Sequence, residues 1–133
     1  MKEPEKLLTK ILGKDSKYKI GNDILFLPDF YTMINDIFIN KVFTNAEKEY
    51  ANKFASPNLR YASTFSAKES IFKAVKQLYP KETLAFNKIE ITRKKPAGKP
   101  SCNILQPKLS HLEFSISITH DGDYVWTMAL LKK

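Results

Sequence analysis

The chain has 133 residues, 43% of them hydrophobic, which suits one domain with a real core rather than a disordered chain. Its 22 Lys and Arg against 14 Asp and Glu leave a formal net charge of +8, a balance that favours an acidic partner. The one cysteine, Cys102, excludes an internal disulfide framework and a thiolate metal cluster. No apolar run approaches bilayer length and the N-terminus lacks an apolar signal core, so the expected setting is cytoplasmic, with no membrane. Arginine occurs only at Arg60 and Arg93, which argues against base reading in nucleic acid, where bidentate Arg is the usual tool.

Residues 1–17 are rich in Lys and Glu, and Leu7, Leu8, Ile11 and Leu12 give this N-terminal extension the spacing of a short helix. The domain proper is expected over 18–133. Tyr18 to Leu27 reads as a strand with Asp23 inside it. A carboxylate there is either a strand-end acceptor of backbone N–H groups or a cation ligand. Pro28 ends the strand and Asp29 is a candidate cap. Phe30 to Val42 has helical spacing. Thr44-Asn45-Ala46-Glu47 is a capping box opening a helix to about Ala55, which makes Glu47 a cap residue first. Ser56-Pro57 opens a long helix ending near Tyr79, before Pro80.

Beyond Pro80 the pattern turns to strands. Phe86 to Thr92 alternates, Arg93 to Pro100 is a loop, and Ser101 to Leu105 is a short strand. Gln106 to His111 is a loop or single helical turn. Glu113 to Thr119 and Tyr124 to Leu131 flank the turn His120-Asp121-Gly122-Asp123, the strongest hairpin signal in the chain. Helices followed by antiparallel strands, with one early strand, indicate α+β.

The long helix carries Tyr61, Phe65, Phe72, Val75 and Tyr79 on one line, with Glu69 at its edge and Lys73 one turn on. On its own the Glu69–Lys73 pair is first an ordinary helix ion pair, and second a place for a metal or a phosphate. Asp23 and Glu69 are the two hard-cation candidates in ordered elements, and two carboxylates with open positions suit Mg²⁺ against a phosphate. No P-loop or dinucleotide glycine motif is present. His120, at the hairpin mouth, is either an anion donor or a turn residue without a role. Cys102 fits a small core residue better than a nucleophile. Lys68 falls among Phe65, Phe72 and Val75, so either its stem crosses apolar surface or that face meets another subunit.

Four ordered segments carry a resemblance. Ile20-Gly21-Asn22-Asp23-Ile24, Phe43-Thr44-Asn45-Ala46-Glu47, Phe65 through Ala74, and Ser115 through Asp121 running into Tyr124 are similar to the motifs of holo-[acyl-carrier-protein] synthases. These are the small 4'-phosphopantetheinyl transferases. Leu84 through Ile91 and Gly98-Lys99-Pro100 also fit, so the likeness covers roughly 18–132.

The resemblance implies a phosphopantetheinyl transferase-like fold, an antiparallel sheet packed against a long helix and shorter helices. It implies transfer of 4'-phosphopantetheine from coenzyme A to a serine of an acidic acyl carrier protein, with release of adenosine 3',5'-bisphosphate. Asp23 and Glu69 would hold Mg²⁺ and Lys73 would contact phosphate. Lys99, Pro100, Thr119 and His120 would line the nucleotide end, in a homotrimer with sites between subunits. Phe26 stands where the family often has an acidic residue, and Asp29 and Thr64 stand where it has arginines. The latter two leave carrier docking and one phosphate contact open. Trp126 occupies a position that is usually small. Two other readings remain: a relative serving a carrier of peptide or polyketide synthesis, and a non-catalytic basic module, for example for RNA, which would need aromatics exposed on a sheet face. Phe114 and Tyr124 are expected in the core.

Overall fold

The computed structural model describes residues 17–94 and 98–132. The expected helix around Leu7–Leu12 and the division at residue 17 lie outside or at the edge of these. Strand β1 (Tyr18–Phe26) leads directly into helix α1 (Leu27–Met33), then α2 (Asp36–Val42), α3 (Asn45–Ala51) and the long α4 (Pro57–Leu78). A 3-10 turn (Phe86–Lys88) precedes β2 (Ile89–Thr92), which pairs with β3 (Ser101–Ile104). A second 3-10 turn (Pro107–Leu109) leads to β4 (Glu113–Asp121) and β5 (Tyr124–Lys132). The main sheet is antiparallel in the order β1-β5-β4, and the second sheet is the β2-β3 pair. No helix among the described residues is long and apolar enough to cross a membrane.

Four features differ from expectation. The single helix expected over Phe30–Val42 is two, because Asn35 is extended (φ −152°) and its side chain accepts from the Phe38 N–H at 2.8 Å, restarting the helix. Asp29 is no cap: α1 begins at Leu27 and places Asp29 in its first turn. The strand expected from Phe86 begins at Ile89, the preceding residues forming a 3-10 turn. The hairpin is longer than its alternation suggested. β4 runs on through Asp121, so only Gly122 and Asp123 make the turn, with φ +57° at Gly122, as the first central position of a II′ turn requires.

Helix α4 lies on β1 and β5, and the two surfaces differ in size. Its large residues Tyr61, Phe65 and Phe72 pack sideways, Phe65 against Phe30, Phe38 and Phe86 with ring centroids 5.3–5.7 Å apart. Its small residues Ser66, Ala67, Ser70 and Ala74 are fully buried. The approach to β1 is closest at Gly21, where an added Cβ would lie 1.9 Å from the Ser70 carbonyl oxygen, so only glycine fits. Burial of Ile71, Val75, Ile89, Leu109, Leu131 and their neighbours forms one core, and Leu27, Phe30, Phe43, Tyr61 and Val125 anchor a second.

The outer face of the sheet is apolar and exposed: Ile20 and Ile24 from β1 beside Trp126, Met128 and Leu130 from β5. Tyr124, expected in the core, belongs to this face, 50% exposed and 5.2 Å from the Phe26 ring. The strand alternates with Val125, Thr127 and Ala129 pointing inward, which turns Tyr124 outward. Phe114 does pack against the first core.

Candidate active site

Asp23 stands two residues beyond Gly21, so the contact that demands glycine also brings this carboxylate against α4. Its Oδ2 accepts from Ser66 Oγ at 2.9 Å, and its Oδ1 faces Lys73 Nζ at 3.1 Å. Lys73 also donates to the Asn22 carbonyl at 3.0 Å. Behind Asp23, the Thr127 hydroxyl bonds to those of Ser66 and Ser70 at 2.9 and 2.6 Å, all three residues fully buried. Ser70 and Thr127 satisfy further carbonyls, so the network under the carboxylate is closed.

Glu69 is half-buried and forms no hydrogen bond or ion pair within the described residues. Burial raises its pKa above the usual carboxylate range, the Asp23 charge raises it further, and Lys73 opposes both. Lys73 therefore serves Asp23 rather than closing the Glu69–Lys73 ion pair expected from helical spacing. Two carboxylates that repel each other beside open solvent fit a hard divalent cation, which takes oxygen ligands and tolerates water in its remaining positions. No cluster of three or more potential metal-ligating side chains occurs among the described residues, so protein would supply the minority of such a coordination shell.

The second group of expected site residues lies elsewhere in the same subunit. Pro100 and His120 line a cleft of about 230 Å³ together with Tyr50, Arg60, Ser63 and Arg93. His120 Nε2 bonds to the Gly122 carbonyl at 3.0 Å, which requires that nitrogen to carry the proton. Lys99 is exposed beside the cleft. Thr119 lies on the outward face, opposite Trp126 in the ladder. Asp23 pairs with Thr127, and Thr127 with Ile118, so about 10 Å of sheet separates the carboxylates' strand from the cleft's strand. Ser63 and Glu69 point about 120° apart around α4. The structure thus brings the expected residues into two clusters on different flanks of one helix.

Beneath both clusters, Lys68 resolves differently from either expectation. Its amine neither emerges nor meets an outer face. It is fully buried, 2.6 Å from Glu47 Oε1, and donates to the carbonyls of Val42 and Phe86 at 2.9 and 2.8 Å. Glu47 completes its capping box with Thr44 and also accepts from the Ile91 N–H at 2.8 Å. Burial pushes the Glu47 carboxyl up and the Lys68 amine down, each restrained by the other's charge. Cys102 behaves as a core residue, with burial pushing its thiol up to about 12.

Arg93 was not singled out by its sequence context. It leaves the end of β2 and sets Nη1 and Nη2 each 3.2 Å from Thr64 Oγ1 and Ser63 Oγ. A guanidinium therefore does reach Thr64, from a different element than the helix itself. The available signal was the scarcity of arginine.

Solved structures of acyl carrier protein synthases share this fold. The Chronobacterium ammoniagenes ACPS–CoA complex superposes with TM-score 0.73 at 24% identity, covering 86% of this chain and 96% of that one. The Neisseria meningitidis holo-[acyl-carrier-protein] synthase gives 0.72 at 23%, covering 86% and 98%. In sequence, the holo-[acyl-carrier-protein] synthase of Chlorobaculum parvum is 35% identical over 117 residues, 86% of this chain and 97% of the relative. A segment forming 7% of the fatty acid synthase subunit alpha of Lachancea kluyveri is 32% identical over 134 residues, 96% of this chain. The profile of the 4'-phosphopantetheinyl transferase superfamily matches residues 19–129. The chain belongs to that superfamily, and it is an enzyme, a phosphopantetheinyl transferase.

Proposed function

We propose that the chain is a holo-[acyl-carrier-protein] synthase, moving 4'-phosphopantetheine from coenzyme A to a serine of an apo acyl carrier protein with Mg²⁺ as cofactor. The observation that carries this reading is the Asp23–Glu69 pair, two mutually repelling carboxylates held at the β1–α4 contact beside the Lys73 cation. Asp23 and Glu69 would hold the metal, which supplies charge neutralisation and orientation of the pyrophosphate. Ser66 and Lys73 fix the Asp23 carboxylate in place, and Lys73 is placed to meet a phosphate oxygen. The carrier hydroxyl forms a new O–P bond at the pantetheine-bearing phosphorus and its proton passes to a site carboxylate. The bridging P–O bond breaks and its electron pair leaves with adenosine 3',5'-bisphosphate.

The cleft at Pro100 and His120, with Lys99 beside it, would take the nucleotide end. Thr119, on the outer face, would join it only at a contact between copies. Because the two clusters sit on different flanks of α4, a complete site is best built when one copy's cleft meets another's carboxylates. The exposed apolar face of β1 and β5 supports such an assembly, a homotrimer, and residues 18–133 would form its repeating domain with 1–17 as an appendage. That face does expose aromatics, but its outward cation is Lys132 at one end, which supports self-association over a nucleic-acid platform. A net charge of +8 suits an acidic carrier.

The test is to incubate the protein with coenzyme A, Mg²⁺ and an apo acyl carrier protein and to weigh the carrier. It gains the mass of phosphopantetheine, and Asp23→Ala and Glu69→Ala each abolish the gain while far-UV circular dichroism stays native. Full activity in either variant removes the metal assignment. No gain on fatty-acid, peptide-synthesis or polyketide carriers removes the function.

A further inference from the structure

We propose that Ser66, backed by Thr127 and Ser70, is a positioning residue for Asp23: it commits one carboxylate oxygen to the interior and leaves the other to the cation. The inference rests on the proposed Asp23–Glu69 metal site and adds what sets that site's preference among divalent cations.

Asp23 and Thr127 pair across the β1–β5 ladder, so both side chains face α4. Ser66 and Ser70, one helical turn apart, meet them there. Each of the three hydroxyls has one proton, and the direction of every bond follows from the carboxylate. Asp23, beside the Lys73 ammonium, only accepts, so Ser66 Oγ donates to its Oδ2 at 2.9 Å. That uses the Ser66 proton. The 2.9 Å contact between Ser66 Oγ and Thr127 Oγ1 is then donated by Thr127. The 2.6 Å contact between Thr127 Oγ1 and Ser70 Oγ is in turn donated by Ser70. The bonds to the Ser66 and Thr127 carbonyls, at 2.8 and 3.1 Å, share these same two protons as three-centre bonds. All the hydroxyls therefore point one way, from Ser70 to Thr127 to Ser66 to Asp23.

Stability does not account for such a chain. Buried hydroxyls are costly unless bonded, and replacing a bonded set by apolar groups of the same shape is close to neutral. Alanines on α4 and a valine on β5 would fill the same space. What only hydroxyls supply is an end that donates to the carboxylate. The three residues are fully buried while the Asp23 side chain is 15% exposed, so Oδ2 is held from inside and Oδ1 faces the half-exposed Lys73 amine. One available oxygen suits a small cation that keeps most of its waters. It does not suit a larger cation that takes a carboxylate through both oxygens. Ser66 thus tilts the site toward Mg²⁺ and away from Ca²⁺.

The test is Mn²⁺ binding to the full chain, read from the electron paramagnetic resonance of the free ion, with Mg²⁺ and Ca²⁺ as competitors. Ser66→Ala should weaken Mn²⁺ and Mg²⁺ binding by about 10-fold, the scale for removing a group that orients a metal ligand. Ca²⁺ binding should hold, so the ratio of the two competitors moves toward Ca²⁺ by the same factor. Thr127→Val should move the ratio in the same direction by less, and Thr127→Ser, which keeps the hydroxyl, should restore the wild-type ratio. A ratio unchanged in Ser66→Ala overturns the assignment, including the case where all three cations weaken equally, which is what a loosened fold would give. Mn²⁺ binding undiminished in Asp23→Ala overturns it as well. If Ser66→Ala does not fold, Thr127→Val and Thr127→Ser decide in the same way. Transfer from coenzyme A to the carrier separates this inference from the function. Transfer in wild type with a ratio indifferent to Ser66 overturns the positioning role and leaves the transferase. No transfer in wild type, with a ratio that depends on Ser66, overturns the transferase and leaves the positioning role.

Discussion

Glu69 sits in a position where ionisation is unfavourable until a cation arrives. Its raised pKa means that the folded chain holds a proton more tightly there than the unfolded chain does. That contribution is fully present below the ordinary carboxylate range and is lost as pH rises through the raised value. Glu69→Gln should therefore melt at a higher temperature than wild type near neutral pH without metal, and the gap should close below the ordinary Glu range. Thermal melts across pH check this, and a variant less stable than wild type at neutral pH contradicts the electrostatic picture. Lys68 is the opposite kind of residue. It is an uncompensated charge only if its partner is removed, so Lys68→Met, which leaves Glu47 buried alone, should cost about 3–5 kcal/mol in urea unfolding. A loss under about 1 kcal/mol, the scale of an exposed pair, would contradict the burial seen here.

Among the elements, the β1–α4 contact organises the site. Gly21 lets the helix backbone reach the strand, and the same approach sets Asp23 beside Ser66 and near Glu69. Gly21→Ala should lose about 3 kcal/mol or more, since the new methyl meets backbone oxygen rather than a movable side chain. Divalent-metal binding should weaken with it, measured by titration at a temperature where the variant stays folded. Unchanged stability would mean the helix can move away without consequence. The long helix, its Pro57 start and the hairpin were legible because caps, proline and alternation are local signals. The Asn35 break was not, because helical spacing continues through it and only the side-chain cap marks it. The fully buried Ser66–Ser70–Thr127 network was hidden too. Its residues carry no hydrophobic signal, and the strand that covers them is distant in sequence.

For the whole molecule, the proposed trimer rests on the outer sheet face. Ile20, Ile24, Trp126 and Leu130 are exposed on one side of a sheet whose other side is core. Trp126→Glu combined with Ile24→Glu should turn the proposed trimer into monomers by sedimentation equilibrium, and transfer should fall with it because each proposed site draws on two copies. A fully active monomeric variant would show that one subunit carries both clusters in working order. The two carboxylates were readable from sequence as separate residues. Their separation from the His120 cleft by the width of a sheet was not, since motif order carries no distance.

The knot around Lys68 has a kinetic meaning. Its amine and its partner Glu47 draw together the end of α2 at Val42, the cap of α3, the middle of α4, the 3-10 turn at Phe86 and the β2 amide of Ile91. Apart from the local cap at Thr44, these bonds cannot form until segments far apart along the chain have met, and loop closure makes such meetings late events. An interaction absent from the transition state governs the rate of leaving the native state rather than the rate of reaching it. The stability lost in Lys68→Met should accordingly appear on the unfolding arm of the chevron, with the folding arm little changed. Lys68 and Glu47 thereby set how long a folded subunit lasts.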